Sequence, residues 1–555
     1  MAITFTVGGS PIGLTSISVA LVASVGGFLF GYDTGQISGI QEMIDFKERF
    51  ATETIFDSAT MTTEPAFNSW LIGLIVSFLS IGTFFGVLIG APIADKLGRR
   101  LAMTVETVVF SVGVLIQVTA QYAWYQVAIG RLVSGLGVGA LSAAVPLYQS
   151  EAIPSQLRGA GVATYQLAIT FGILVSNCIN IGTRSIEGSW SWRTPILLGV
   201  AFAAVLGIGI WFLPESPRWL AARGRHDEAY GAVARVRGAT REDSNPWVEA
   251  EYASIITYVQ NEAKLKKAGW IDCFRPQNKT LYRTVLGIVL QAGQQLTGAN
   301  YFFYYGANIF NSVGLRDSFV TQIILGAVNF VATFGSLYIL ERFGRRIPLM
   351  VGAIGMTVWL LIFGLAGHVG NPTDPTFGSL MIASACIFIV FYATTWAPGI
   401  WLFIGESFAS ETRAKQASLS AASNWFWNFL LAFFTKPITG DIDYAFGFVF
   451  AGANFLGFFI VYFFVYETKG LTLEEIDEMY NDDRVKPWQS RKWAPAGRAN
   501  RLDIAARVRD EKTDDVLKVE DPQHGHWKSQ PNSEGDETDT ARKQREEPIS
   551  KTEDA

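Results

Sequence analysis

Cysteine is nearly missing from this chain. The three present, Cys178, Cys273 and Cys386, have no CxxC or other metal-ligand spacing, so the sequence offers neither a disulfide framework nor a metal site. Charge is scarce as well. Only 17% of residues are Asp, Glu, Lys or Arg, and they are gathered in loops, in the segment 214–283 and after position 466. The net charge of −5 therefore says little about partners, and no basic stripe suggests a nucleic acid. The first 18 residues contain no Lys or Arg, and no short apolar core precedes a small-residue cleavage site. No removable signal peptide is expected from this, and the first apolar helix is expected to serve as its own targeting signal. Nothing calls for a cofactor or for bond-making chemistry.

What the chain has in excess is apolar and aromatic side chains: half of its residues are hydrophobic, with 40 Phe and 16 Trp. Mean hydropathy is +0.26. A bilayer core needs about 20 successive apolar residues per helix. Twelve such stretches are legible, near 14–41, 68–94, 101–121, 125–146, 160–182, 194–213, 284–311, 319–340, 347–368, 379–405, 416–436 and 444–466. The expectation is an all-α polytopic membrane protein. The stretches divide it into an N-terminal six-helix half (1–213), a linker with short helices (214–283), a C-terminal six-helix half (284–466) and a polar tail (467–555). Amphipathic runs at His226 to Arg237 and Trp247 to Lys267 predict surface helices in the linker. From about 487 the composition offers too little apolar surface to offset ordering entropy, which predicts disorder.

The two halves repeat each other. Asp95-Lys96-Leu97-Gly98-Arg99-Arg100 returns as Glu341-Arg342-Phe343-Gly344-Arg345-Arg346, and Glu151 to Arg158 returns as Glu406 to Arg413. Pro214-Glu215-Ser216-Pro217-Arg218 has its echo in Tyr466-Glu467-Thr468-Lys469-Gly470. All three phrases keep a separation of about 250 residues, as in transporters built from parallel repeats. With twelve alternating helices, these basic loops and the linker fall on one side. The positive-inside tendency makes that side cytoplasmic, together with both termini. The acidic loop 42–67 lies opposite.

Ionisable residues inside apolar segments are costly, and so informative. Asp33 in the first stretch and Arg131 in the fourth both fall about 10 Å below the outer surface, at about 1.5 Å of rise per residue. They are placed to pair. An acidic exterior can tip such a carboxylate to its neutral acid and release the arginine, which makes the pair a proton switch. The bland alternative is a static ion pair that only ties the two helices together. Uncharged amides form a second set: Gln166, Gln291, Gln294, Gln295, Asn300, Asn329 and Asn424. Each offers donors and an acceptor, which suits a neutral, hydroxyl-rich solute such as a sugar, although any one of them can equally bond helix to helix. Gly298 permits a local break in the seventh helix just before Asn300.

Over roughly residues 14–480 the chain resembles the sugar porter family of the major facilitator superfamily, most of all the fungal hexose transporters. The resemblance rests on the duplicated phrases, Gly130-Arg131, Pro146-Leu147-Tyr148 with Glu151, Pro214-Glu215-Ser216-Pro217-Arg218-Trp219-Leu220, and Gln294-Gln295-Leu296-Thr297-Gly298-Ala299-Asn300. It implies a sugar site at Gln166, Gln294, Gln295, Asn300, Asn329 and Asn424, with Trp401 as the stacking ring and Phe28 and Trp425 beside it. Tyr304 and Tyr305 would form an outer gate. The cytoplasmic gate would comprise Asp95, Arg99, Arg100, Glu151, Arg158, Glu215, Glu341, Arg345, Arg346, Glu406, Arg413 and Glu467. An aspartate at the position of Asp33 marks the proton symporters of the family. The phrases Tyr466-Glu467-Thr468, Ala397 and Gly405-Glu406-Ser407-Phe408-Ala409 depart from the family pattern, and a looser cytoplasmic network in the second half is expected from them. The leading expectation is proton-coupled monosaccharide uptake, glucose or another hexose, at the plasma membrane, with the lipid bilayer as its other partner. The rivals are an uncoupled hexose facilitator and a transporter-like sugar receptor that signals through cytosolic regulators of its tail.

Overall fold

The computed structural model describes residues 4–494 apart from 8–9, 58–61, 155, 241–244, 265–268, 312–317, 371–373 and 410. The apolar runs become twelve membrane-crossing helices. In the first half they are Leu14–Ile40 (helix 1), Ser69–Leu97 (helix 2), Arg99–Val118 (helix 3), Trp124–Ala152 (helix 4), Arg158–Thr183 (helix 5) and Trp190–Gly209 (helix 6). In the second they are helix 7, Ser318–Phe343 (helix 8), Arg346–His368 (helix 9), helix 10, Arg413–Ile442 (helix 11) and Phe446–Phe464 (helix 12). Asn68 caps helix 2 by accepting from the Trp70 amide at 2.9 Å, and Asp374 caps helix 10 with Pro375 in its first turn. Pro146 does not stop helix 4, which continues six residues past it to Ala152.

Two helices are interrupted. Helix 7 is split into Thr280–Gln295 (7a) and Ala299–Asn311 (7b) by the expected break at Gly298. Glycine is required there: φ is +93°, and a Cβ would lie 2.7 Å from the Phe450 ring. Helix 10 runs Pro375–Phe391, widens through Tyr392–Trp396 and resumes as Ala397–Ser407. Pro398 has no N–H for the ladder at that point.

Helices 1 and 5, 2 and 4, and 3 and 4 pack tightly within the first half; 9 and 12, and 7a and 11, do so in the second. The halves meet through helix 2 on helix 11, helix 5 on helix 8 and helix 1 on helix 7b. The polar site lies where those contacts converge.

On the basic side, the linker folds as Pro217–Ala222, His226–Arg237 and Pro246–Lys264, sharing a small core of Leu220, Ala229, Val233, Val248 and Ile255. The expected helix to Lys267 is described as far as Lys264, and 265–268 lie outside the described residues. Two strand pairs were not anticipated: Thr4–Val7 with Ser10–Gly13, and Glu53–Asp57 with Thr62–Ala66.

The tail corrects the expectation of disorder from about 487, because it is folded as far as 494. A reciprocal Thr472–Glu475 capping box starts the helix Leu473–Asn481, which buries Ile476, Met479 and Tyr480 against Tyr466. A short turn then follows at Pro487–Lys492. Trp488 stacks on Tyr462 of helix 12 at 6.5 Å between ring centres, and the Ser490 hydroxyl accepts from the Glu467 amide at 2.9 Å. The rest of the expected tail, with any regulator it binds, lies outside the described residues.

Candidate functional site

Asp33 and Arg131 meet. Helices 1 and 4 bring them together at 0% and 1% exposure, with Arg131 Nη1 3.8 Å from Asp33 Oδ1. That is ionic contact without a direct hydrogen bond. The carboxylate is held by neutral donors instead: Gln36 Nε2 donates to Oδ1 at 2.6 Å and Ser134 Oγ to Oδ2 at 3.3 Å. Ser134 in turn accepts from Gln117 on helix 3 at 3.4 Å. Arg131 Nε and Nη2 have no partner in the described residues. The pair therefore has slack, and little besides charge holds the guanidinium.

Four of the amides expected at the site, together with Gln291, form one continuous network between helices 7 and 11. Gln294 Nε2 donates to the Trp396 and Ala397 carbonyls at 3.0 and 2.8 Å, next to the widened turn of helix 10. Asn424 Nδ2 donates to Gln291 Oε1 at 2.6 Å and Gln294 Oε1 at 2.7 Å, and its Oδ1 accepts from Gln295 Nε2 at 2.8 Å. Gln295 Oε1 accepts from Asn300 and, at 3.1 Å, from Asn428. Asn428 was missed, although it stands four residues from Asn424 on the same face of helix 11. Gln166 and Asn329 lie on helices 5 and 8, which pack against each other across the halves; Asn329 is buried and Gln166 half-buried, and neither has a side-chain hydrogen bond among the described residues. Each bond in the network pairs a donor with an acceptor, so a solute hydroxyl can replace it in kind.

The aromatic residues divide differently from the expectation. Phe30, not Phe28, reaches across to the other half, meeting Trp425 edge-on at 5.3 Å. Phe28 turns to Tyr32, Phe171 and Phe202 within its own half. Two residues along a helix is about 200° around it, so the two rings cannot share a face. Trp425 is buried, whereas Trp401 is 40% exposed. Tyr304 and Tyr305 are buried, at 3% and 1% exposure. Tyr304 donates to Asn428 Oδ1 at 2.9 Å and Tyr305 to the Ala432 carbonyl. Gln41 of helix 1 donates to the Tyr304 carbonyl at 2.8 Å, and Ser80 of helix 2 to Asn428 Oδ1 at 2.5 Å.

On the basic side the sequence repeat becomes a repeat of geometry. Arg99 forks onto Glu151 at 2.9 and 2.8 Å, and Arg345 onto Glu406 at 3.0 and 2.5 Å. Glu215 accepts the Arg99 and Arg100 amides at 3.0 and 3.1 Å, capping helix 3; Glu467 accepts those of Arg345 and Arg346 at 2.9 and 3.1 Å, capping helix 9. Ser216 and Thr468 each donate at 2.6 Å to the paired glutamate. Gly98 and Gly344 (φ +92° and +89°) make room, since a Cβ would lie 2.8 and 2.6 Å from the capping carboxylates. The second network is thus as complete as the first at these groups, contrary to the loosening expected from the altered phrases.

Three other expected members stand outside these networks. Asp95 reaches Arg99 at 2.9 Å, but its counterpart Glu341 is exposed and makes no ion pair. Arg413 donates, among the described residues, only to the Phe408 carbonyl. Arg158 bridges neither Glu151 nor Glu215 among the described residues; the charges of Arg218 and Glu251 act on it instead.

Sequence reading also passed over Glu106 on helix 3. It is 3% exposed, and neither carboxyl oxygen has a partner among the described residues. Its signal, a lone acid in an apolar run, was the same one that exposed Asp33.

Twelve helices in two repeated halves, a broken seventh helix and a buried polar centre define a membrane carrier of the major facilitator fold. The family model "Sugar (and other) transporter" matches residues 19–480. Hexose transporter HXT10 of Saccharomyces cerevisiae is 40% identical over 491 residues, 87% of this chain and 88% of that protein. Hexose transporter 2 of Kluyveromyces lactis is 41% identical, covering 90% and 88%. Among solved structures, the inward-open xylose transporter XylE from E. coli matches with a TM-score of 0.67 at 25% identity, over 84% of this chain and 99% of that one. This chain belongs to the sugar transporter family.

Proposed function

We propose that the chain takes up a monosaccharide, a hexose such as glucose, across the plasma membrane by alternating access, driven by symport of a proton. The observation that carries the coupling is the buried Asp33 beside an Arg131 that has few other partners. Protonation of Asp33 removes the charge that holds the guanidinium, and Tyr304 and Tyr305 lie within its electrostatic reach. The pair thereby biases which side of the carrier opens. Support for the substrate class comes from the two yeast hexose transporters and from the proton:xylose symporter XylE bound to 6-bromo-6-deoxy-D-glucose, with a TM-score of 0.66 at 25% identity.

In this reading Gln166, Gln294, Gln295, Asn300, Asn329 and Asn424 grip the sugar hydroxyls, with Trp401, Trp425 and Phe30 against its C–H faces. Tyr304 and Tyr305 close the outside. Glu151, Glu215, Glu406 and Glu467 with their arginines staple each half at the cytosolic surface, and both termini are cytosolic. Residues 1–213 and 284–466 move as the two bodies, joined by 214–283. A proton crossing about 100 mV supplies about 2.3 kcal/mol, and each pH unit about 1.4 kcal/mol. Two units plus that voltage support accumulation of roughly a few thousandfold.

The test is uptake of labelled glucose, xylose, galactose and fructose in transporter-null cells, with and without a protonophore. Asp33→Asn is expected to abolish uphill accumulation while sugar exchange persists. Undiminished concentrative uptake in that variant would refute the coupling.

A further inference from the structure

We infer that a groove between helices 3 and 6 holds an anionic glycerophospholipid of the cytoplasmic leaflet, one acyl chain along the groove and the phosphate between Arg100 and Arg235. The leaflet rests on the orientation proposed above; the groove itself does not. It encloses about 520 Å³, within the roughly 300–1,000 Å³ of small-ligand sites. Its walls are apolar with a row of hydroxyls, and Thr104, Thr107, Ser111, Ala204, Gly207 and Trp211 are among its lining. Small residues on helix 6 make the hollow: a Cβ on Gly207 would already lie 2.9 Å from Thr107 Oγ1.

The mouth of the groove identifies the occupant. Two guanidinium groups from different parts of the chain converge on the basic-side end of helix 6. Arg100 Nη2 donates to the Trp211 carbonyl at 2.8 Å with its guanidinium 4.8 Å over the Trp211 ring, and Arg235 Nη2 donates to the Phe212 carbonyl at 2.6 Å. Glu215 accepts the Arg100 backbone amide, and the Arg100 side chain has no carboxylate partner among the described residues. Each arginine carries five donors and spends few of them on carbonyls, so a phosphate at the membrane surface meets an unneutralised pair. An apolar slot opening on two such cations complements an acyl chain joined to an anionic headgroup. A sterol would leave the arginines unused, and a zwitterionic lipid brings the same phosphate but carries a cation of its own that offsets the attraction of the pair.

The test uses the full chain in nanodiscs with photoactivatable phosphatidylserine, its diazirine on one acyl chain, against the matching phosphatidylcholine. Labelling of helix 3 and helix 6 peptides is expected to be at least fivefold stronger with phosphatidylserine. Arg235→Gln, at an exposed position, should bring it down to the phosphatidylcholine level. Ala204→Trp, which fills the groove from an exposed position, should reduce labelling by both probes while sugar uptake persists. Equal labelling by the two lipids, no effect of Arg235→Gln, stronger labelling by a photoactivatable sterol, or cross-linking of this face to a second copy of the chain would each overturn the proposal. None of these readouts depends on which sugar is carried or on proton coupling.

Discussion

Removing one charge of the Asp33–Arg131 pair is expected to cost more stability than removing both. At their separation of 3.8 Å and an effective dielectric of about 20, two unit charges attract by about 4 kcal/mol. In Asp33→Asn that attraction disappears while Arg131 stays charged at 1% exposure, with two of its nitrogens already lacking partners. Stranding a buried charge costs about 3–5 kcal/mol. Arg131→Gln strands the carboxylate instead, but Gln36 and Ser134 still donate to it, so the loss should be smaller, about 2–3 kcal/mol. The double variant leaves only neutral amides and is expected within about 2 kcal/mol of the unaltered protein. Thermal unfolding of the four purified proteins in one detergent closes the cycle, and sugar accumulation in vesicles is followed alongside. A coupling below about 0.5 kcal/mol, with the single losses adding to the double, would show that the two side chains do not sense each other and would refute the electrostatic argument.

Phe30→Ala is expected to raise the sugar KM about two- to tenfold through loss of an aromatic contact of about 0.5–1.5 kcal/mol, whereas Phe28→Ala should lower the thermal midpoint and leave KM unchanged; the reverse pattern would return Phe28 to the site. Gly344→Ala places a methyl 2.6 Å from Glu467 Oε2 at φ +89° and is expected to cost about 2–4 kcal/mol. Gly98→Ala should cost a similar amount by unfolding assay, and Gly405→Ala, with nothing within 4 Å of the new Cβ, much less. Asp45 lies outside the membrane helices. Burial pushes its carboxyl up, but hydrogen bonds from Arg49 and Trp192 outweigh this and hold it below the usual 3.8. Its stabilising contribution is therefore present above the unfolded value and lost as pH falls through the lowered folded one. The stability gap between Asp45→Asn and the unaltered protein should be constant near neutrality and close in acid.

The features most legible in the sequence were those where bilayer physics leaves few choices. An apolar run must be a helix, a repeated phrase must be a repeated structure, and an acid in hydrocarbon needs a partner at its own depth, as Asp33 and Arg131 have. Gly298 announced the break in helix 7 because no other residue tolerates that backbone. Facing was harder to read. A membrane helix is apolar toward lipid and toward its neighbours alike, so no periodicity distinguishes Phe28 from Phe30, and the choice fell two residues short. The second-half phrases looked damaged because side-chain identity was weighed above the carboxylate itself; Glu467 still caps helix 9, and Thr468 does for Glu406 what Ser216 does for Glu151. The run from 487 is too polar to fold alone, yet Trp488 and Ser490 gain their order from helix 12, a contact that local composition does not encode.

Asn428 belongs to two machines at once. Its amide nitrogen is bonded to Gln295 in the polar centre, while its oxygen carries both the Tyr304 hydroxyl and Ser80 of the opposite half. Whatever tugs Gln295 aside must also disturb the latch, and whatever lifts the latch reshapes the cradle by the same amount of work. Affinity measured with the lid open and with it closed should therefore differ through this one side chain, and shortening it would let cargo and door go their separate ways.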